Sequence, residues 1–355
     1  MRLRSALVFP GGSPSGLTWA RRAVDAGMRV VGASSLAEDP ARSQYSEWDY
    51  LPWIDDADFA SSLGRCVTGR QIDMVYTSHA VVWSVLRELL TKVAPAVCLK
   101  PERPWAAELA DYREYRARAA RFEPLEIAGT GLVRRPLGPV QLAALVRQFE
   151  LTPGQCDYQK LEALTAVYRR VPDGDIVEIG SLWGRSAVAL AFLARHYGIG
   201  KLLCVDPWAS EELRQGIPRV DEAAKELPMA EVFDAFRINL APFADMANYV
   251  RAGSADAART YRHGRRVTTE DFGETVYTGE IALLHIDGNH ALQAVRDDIA
   301  AWQPCVGRGG WIVFDDYCWP FGNGPKVAAD EFCQECSRPL TAAFVAGGAL
   351  FVEVG

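Results

Sequence analysis

The sequence predicts an α/β chain of two units: a seven-stranded, Rossmann-like sheet preceded by a smaller parallel α/β unit. Three observations carry that expectation. Residues 175–208, DIVEIGSLWGRSAVALAFLARHYGIGKLLCVDPW, read as strand, glycine turn, helix and strand. The same alternation runs through the first 100 residues. Two further apolar strands and a final strand pair follow residue 281. Short apolar runs bounded by Gly and Pro and separated by helical stretches are the pattern of a parallel sheet covered on both faces.

In the first unit, Ala6–Phe9 reads as a strand, Gly11–Gly16 (GGSPSG) as a turn, Leu17–Ala26 as a helix and Arg29–Ala33 as a second strand. A polar, aromatic stretch leads to the strand Ile72–Thr77, the helix Val81–Leu90 and a short fourth strand, Ala96–Leu99. The opening basic residues and short apolar run continue into a glycine turn, so they are read as a strand and not as a leader peptide. The glycine turn suits either a phosphate or nucleotide, or simply a tight turn in a docking or substrate-positioning domain. Residues 101–137 read as a helical linker, with an amphipathic stretch Trp105–Arg121, the pair Tyr112 and Tyr115 on one face, and Gly129, Gly131, Pro136, Gly138 and Pro139 as breakers.

The larger unit is expected over residues 138–355, opening with helices Gln141–Glu150 and Tyr158–Arg170. Pro172 and Gly174 then set up the buried strand ending at Ile179. Gly180 and Gly184 open the next helix, and the strand Leu202–Val205 ends at Asp206. Residues 209–243 are helical and charged, Asn248–Arg251 is a third strand, and 261–280 read as a protruding hairpin or flexible loop. Ile281–Ile286 ends at Asp287. The helix Ala291–Trp302, a turn at Gly307–Gly310 and the strand Trp311–Phe314 lead to Asp315 and Asp316. Ala342–Val345 and Leu350–Val354 close the sheet as an antiparallel hairpin.

Two blocks carry a resemblance. Glu178, Ile179, Gly180, Ser181, Gly184, Arg185 and Ser186, followed by the V-D-P-W strand end at Val205–Trp208, resemble motif I of class I S-adenosylmethionine (SAM) methyltransferases. The third glycine of a dinucleotide fingerprint is absent. The I-D-G-x-H strand end at Asp287–His290, the acidic helix ending in Trp302, the glycine pair and the acidic pair with Tyr317 resemble the macrolide and sugar O-methyltransferase branch of that family. The first unit resembles the domain that precedes the ATP-grasp fold in biotin-carboxylase-like ligases, through its opening glycine turn, the segment GASSLAEDPARSQYSEWDYLPWI and the strand IDMVYTSH. No ATP-grasp pattern follows, so ligase chemistry is not carried over.

The resemblance implies a seven-stranded methyltransferase sheet with SAM at the glycine turn. Glu178, Ser181 and Ser186 would meet its amino-acid end, Asp206 its ribose and Ser254 its adenine edge, with Gly180, Gly184 and Arg185 also among the cofactor-binding residues. Asp287, Asp315 and Asp316 end two strands expected to be neighbours, and converging carboxylates repel unless a cation or protons intervene. Oxygen ligands of this kind suit Mg²⁺ or Mn²⁺, and the related enzymes bind a divalent ion there. A helix cap and a bond to a backbone N–H are the alternative uses for these aspartates. His290, three residues past Asp287, is the candidate general base, against a structural role at a helix start. His285 is expected in the core. Tyr317, Trp319 and Phe321 are candidates for an acceptor wall or for packing.

Composition fits this reading. The chain has 355 residues, 49% hydrophobic and 23% charged, enough for two domains and a sizeable core. A net charge of −7 argues against nucleic acid as partner, and no apolar run reaches membrane-spanning length. The eight cysteines are scattered, and Cys333 and Cys336 form a lone C-x-x-C without a second pair for zinc. A reducing, cytoplasmic setting is expected, with a small-molecule acceptor and the option of a homo-oligomer. The expected activity is SAM-dependent O-methylation of a small polyhydroxylated or natural-product acceptor with divalent-metal assistance. Metal-free N-methylation, a non-catalytic nucleotide-binding scaffold and a nicotinamide oxidoreductase are the rival readings.

Overall fold

A computed structural model describes residues 4–355 apart from 102, 124, 128–132 and 212; the linker glycines 129 and 131 lie outside the described residues. The chain divides into two compact units, Met1–Glu114 and Tyr115–Gly355.

The first unit holds strands β1 (Ser5–Val8), β2 (Arg29–Ser34), β3 (Glu47–Tyr50), β4 (Met74–Tyr76) and β5 (Cys98–Lys100). They form one sheet, order β3-β2-β1-β4-β5, parallel throughout. Helices α1 (Pro14–Asp25), α2 (Phe59–Gly69) and α3 (Ala80–Val93) make the crossovers, and α4 (Pro104–Ala119) follows. Strand β3 and helix α2 were not anticipated. Strand β3 is an edge strand of sequence EWDY whose carboxylates pair with Arg29 and Arg70, so it shows charge where a buried strand shows aliphatics. Helix α2 carries Ser, Thr and two Gly among 11 residues, a weak helix signal overridden by burial of Phe59, Leu63, Cys66 and Val67.

In the second unit α5 (Pro139–Leu151) and α6 (Tyr158–Val167) precede β6 (Asp175–Ile179), α7 (Arg185–Tyr197) and β7 (Leu202–Val205). Then come α8 (Pro218–Lys225), α9 (Met229–Leu240), β8 (Ala247–Val250), α10 (Ser254–Gly264) and a two-stranded hairpin, β9 (Arg266–Thr269) with β10 (Gly273–Val276). The chain finishes with β11 (Ile281–Ile286), α11 (Leu292–Trp302), β12 (Val306–Phe314), α12 (Gly324–Glu335), β13 (Leu340–Ala346) and β14 (Ala349–Val354). The seven-stranded sheet has the order β13-β14-β12-β11-β6-β7-β8, with β14 antiparallel to both neighbours.

Alternate residues of the central strands feed two cores. Ile176, Leu202, Cys204, Leu283, Trp311 and Val313 face one, and Val177, Leu203, Leu284, Ile312 and Phe314 face the other. Each buried aliphatic contributes about 1.5–3 kcal/mol, so the central strands are the most strongly held part of this unit. The expected turn at Gly307–Gly310 lies inside β12. Pairing with β11 jumps from Ile281↔Val306 to Leu283↔Trp311, so these residues form a bulge, with Gly309 at φ +74°. Asp175 is fully buried and accepts hydrogen bonds from the Tyr261 hydroxyl, Thr278 and Gly279, tying the hairpin exit to the first residue of β6. Among the described residues no helix is long and apolar enough to cross a membrane.

Candidate functional site

Parallel pairing puts three strand ends in a row. Glu178 lies opposite His285 on β11, the Asp287 N–H bonds to Ile179, and the Asp315 N–H bonds to Ile286. Beside this row, Gly180 turns the chain at φ +81°, and a Cβ there would sit 1.9 Å from the Asp287 carbonyl oxygen. Only glycine permits that approach. Gly184, at φ +88°, is the N-cap of α7 and offers no side chain to its first N–H groups, which leaves them for an anionic ligand.

A cavity of about 1010 Å³ opens at these strand ends. Gly180, Ser181, Arg185, Ser186, Asp206 and Ser254 line it. So do Asp287, His290, Asp315 and Asp316, with Trp319 and Phe321. Arg219 and Val220 of α8 also border the cavity. Tyr317 turns away, its hydroxyl donating to Asp330.

Several residues expected to touch the cofactor are already engaged. Glu178 is wholly buried behind the cavity wall, accepting from the Ser181 hydroxyl at 2.6 Å and facing His285 Nδ1 at 3.2 Å. It therefore shapes the site through Ser181. Asp206 accepts from the backbone N–H groups of Ser181, Leu182 and Trp208 at 3.0, 3.0 and 2.7 Å. Burial raises its carboxyl pKa against those bonds. Its first task is holding the glycine loop, to which the Trp208 indole also donates through Leu182 at 2.9 Å. Arg185 turns its guanidinium over the Phe149 ring and donates to Gly154. The Ser254 hydroxyl accepts from Trp302 Nε1 at 2.9 Å and bonds to Asp298.

The acidic end differs from a simple trio of aspartates. Lys160 of α6, 3% exposed, places its ammonium against Asp315 Oδ2 and 4.0 Å from Asp287 Oδ2. Burial opposes its charge, but Asp315 and Asp287 outweigh that and hold its pKa above the ordinary lysine value. Burial likewise works on Asp315, yet Lys160 and His285 drive that carboxyl well below the usual range, while burial and the neighbouring Asp315 push Asp287 up. His285 is in the core as expected. It also joins Glu178 to Asp315, whose Oδ2 lies 3.4 Å from Nε2, and despite burial these partners raise its pKa.

Donor atoms within 4.8 Å of one another form two sets among the described residues, Asp287–His290–Asp316 and His285–Asp287–Asp315. Asp287 belongs to both, and the three aspartates expected to act together form no set of their own. His290 Nε2 lies 3.0 Å from Asp316 Oδ2, its ring packs edge-on to Trp319, and Nδ1 is buried without a partner. Asp316 holds φ +51°, a left-handed conformation for a non-glycine residue at the mouth of the site.

Three cavity residues escaped the sequence reading. Lys160 looks like any helical lysine, and Cys156 like a core cysteine; burial pushes its thiol up to about 12. Asp298 was one of two acids on a helix. It is buried, and burial raises its carboxyl to about 6. The D-D pair at 297–298 on the face toward Ser254 was the available signal.

Residues 177–317 match the family model described as a methyltransferase domain. Solved structures similar to the chain include the O-methyltransferase NovP, 18% identical over 55% of this chain and 79% of that one, TM-score 0.40. Another is the MycE methyltransferase of the mycinamycin pathway in complex with Mg, SAH and mycinamycin VI, 18% identical over 52% and 45%, TM-score 0.32. A third is glycinamide-RNase-transformylase T from Mycobacterium tuberculosis, 20% identical over 35% and 37%, TM-score 0.24. No curated protein sequence matches the chain. The family match falls on the strands and glycine loop that build the cavity, so this stretch of the chain, residues 177–317, is similar to a methyltransferase domain.

Proposed function

We propose that the chain methylates a hydroxyl group of a small polyhydroxylated acceptor, assisted by a divalent cation at the acidic end of the cavity. The observation that carries this reading is the convergence of Asp287, His290 and Asp316 in the cavity that the glycine loop also lines. An aliphatic hydroxyl is a poor nucleophile near neutral pH, so its proton must be taken or its pKa lowered.

The residues fit a hard divalent ion. Asp287 and Asp316 bring carboxylate oxygens within 4.8 Å of each other and of a His290 nitrogen, a donor set suited to Mg²⁺ or Mn²⁺. Such an ion would supply Lewis acidity toward the acceptor oxygen. The chain's own residues do the rest. Ser181 and Ser186 and the open first turn of α7 receive the charged amino-acid end of SAM, and Asp206 keeps that loop in shape for the ribose. Ser254, fixed by Trp302 and Asp298, borders the adenine. His290, its Nε2 3.0 Å from Asp316 Oδ2, takes one of two roles: nitrogen donor to the cation or, in a site without metal, general base toward the acceptor hydroxyl. Trp319 and Phe321 wall the acceptor side, and the first unit serves acceptor recognition or docking.

The test is SAH formation from SAM across a panel of sugar and phenolic acceptors. Turnover should stop in EDTA and return with Mg²⁺ or Mn²⁺, while SAH binding measured by calorimetry persists. EDTA-resistant turnover of amine acceptors would replace this reading with N-methylation, which the Lys160–Asp315 pair favours by supplying a cation without metal.

A further inference from the structure

Asp287, Asp315 and Asp316 all line the cavity, and Asp287 shares a donor set with each of the other two. Lysine almost never lies fully buried without a partner, and Lys160 is 3% exposed with its ammonium on Asp315 and 4.0 Å from Asp287. Its placement is set by the backbone. Asp157 caps α6 by accepting from the Lys160 N–H at 2.8 Å, and Gly347, in the β13–β14 turn, lies so close that a Cβ there would be 2.3 Å from the same nitrogen. The helix start is thus held from both sides, and the side chain it carries reaches Asp315 and Asp287.

We propose that Lys160 is the resident cation of the acidic cluster: a positioning residue that permanently supplies one of the positive charges the carboxylates need, and so limits how tightly a divalent cation is taken up. The proposal rests on the metal reading above but assigns a new role. Lys160 occupies Asp315 and turns the open donor set toward Asp287, His290 and Asp316. A fixed positive charge a few ångströms from the cation must weaken its binding, and at an effective dielectric near 20 the repulsion is worth at least about tenfold in affinity. A merely structural lysine would predict the opposite sign, since its loss would loosen the site.

The measurement is MnCl₂ titration by calorimetry, with SAH present, on the full chain. Lys160→Met should bind Mn²⁺ at least about tenfold more tightly than wild type, and Lys160→Arg, which keeps the charge, should stay within about threefold. Unchanged or weaker binding by Lys160→Met would overturn the proposal. Removing Lys160 leaves Asp315 buried and unpaired, which can prevent folding. The charge-balanced Lys160→Met/Asp315→Asn protein is then compared with Asp315→Asn. The double variant should be the tighter binder by about tenfold, and equal or weaker binding overturns the proposal as surely. If wild type takes up no Mn²⁺ but Lys160→Met does, the role of Lys160 stands and the metal leaves the proposed function. No uptake by any of these proteins overturns both.

Discussion

The two units both open a parallel sheet with a strand, a glycine-rich turn and a helix, yet their glycines serve opposite ends. In the first unit the turn is filled by the chain itself. A Cβ on Gly11 would lie 2.9 Å from the Trp48 ring, one on Gly12 3.0 Å from Asp39, and one on Gly32 2.5 Å from Trp48, while the Tyr45 hydroxyl donates to the Gly11 carbonyl. In the second unit Gly180 approaches backbone at positive φ and its turn faces a cavity of about 1010 Å³. A glycine turn becomes a binding site when what stands over it is space; with Trp48 and Tyr45 against Gly11, the buried side of the first unit's turn is packing. Of the two roles open to GGSPSG, the structure favours the tight turn.

That contrast can be broken most directly at Gly180. Gly180→Ala forces a Cβ against the Asp287 carbonyl and strains a positive φ, so SAH affinity should fall by about 100-fold or more in calorimetry. Retained binding would mean the loop does not carry the cofactor. Next in size, Asp206→Ala removes the acceptor for three loop N–H groups and should weaken SAH by about 30-fold. If Asp206→Asn did equally well as wild type, the loop-holding role would need no charge.

A smaller effect concerns Asp298, a buried acid with no counterpart in the first unit's turn. Its folded pKa, about 6, lies above the ordinary 3.8. The folded chain therefore holds the extra proton in that window, and the contribution to stability is full below about pH 4 and lost as pH rises to about 6. Asp298→Asn should stabilise the chain at pH 7 by about 1–3 kcal/mol, with the gain shrinking toward pH 4 in urea midpoints. A gain independent of pH would show that burial is not what raises this acid. Smallest for the cofactor is Gly11→Ala. It should cost the first unit about 1–3 kcal/mol through the Trp48 contact, and leave SAH affinity within about twofold because each unit has its own core. A tenfold loss of SAH binding would erase the distinction between the two turns.

What could be read beforehand follows the same line. Strands β7, β11 and β12 were legible because each is an apolar run leading to a marked residue, Asp206, Asp287 or Asp315. The polar edge strand at Glu47–Tyr50 was hidden because its partners, Arg29 and Arg70, lie 18 to 23 residues away in sequence. Glu178 was assigned to the cofactor by motif, whereas pairing to His285 and Ser181 places it behind the wall. Lys160 was illegible for the strongest physical reason. Its partner is 155 residues distant, and nothing local in YQKLEALTAV distinguishes a buried lysine from a solvated one.

The clamp on α6 carries a consequence for synthesis. Lys160 is seated by the turn at Gly347, nearly two hundred residues later in the chain. A nascent polypeptide emerging from the ribosome can lay down β6, its glycine loop and β7 long before that turn exists, so the glycine loop precedes the finished acidic cluster. Contacts of such long range form late and slowly. Until the β13–β14 hairpin docks, the start of α6 lacks the turn that packs on the Lys160 backbone, and a chain stalled short of residue 347 would present the glycine loop without that packing.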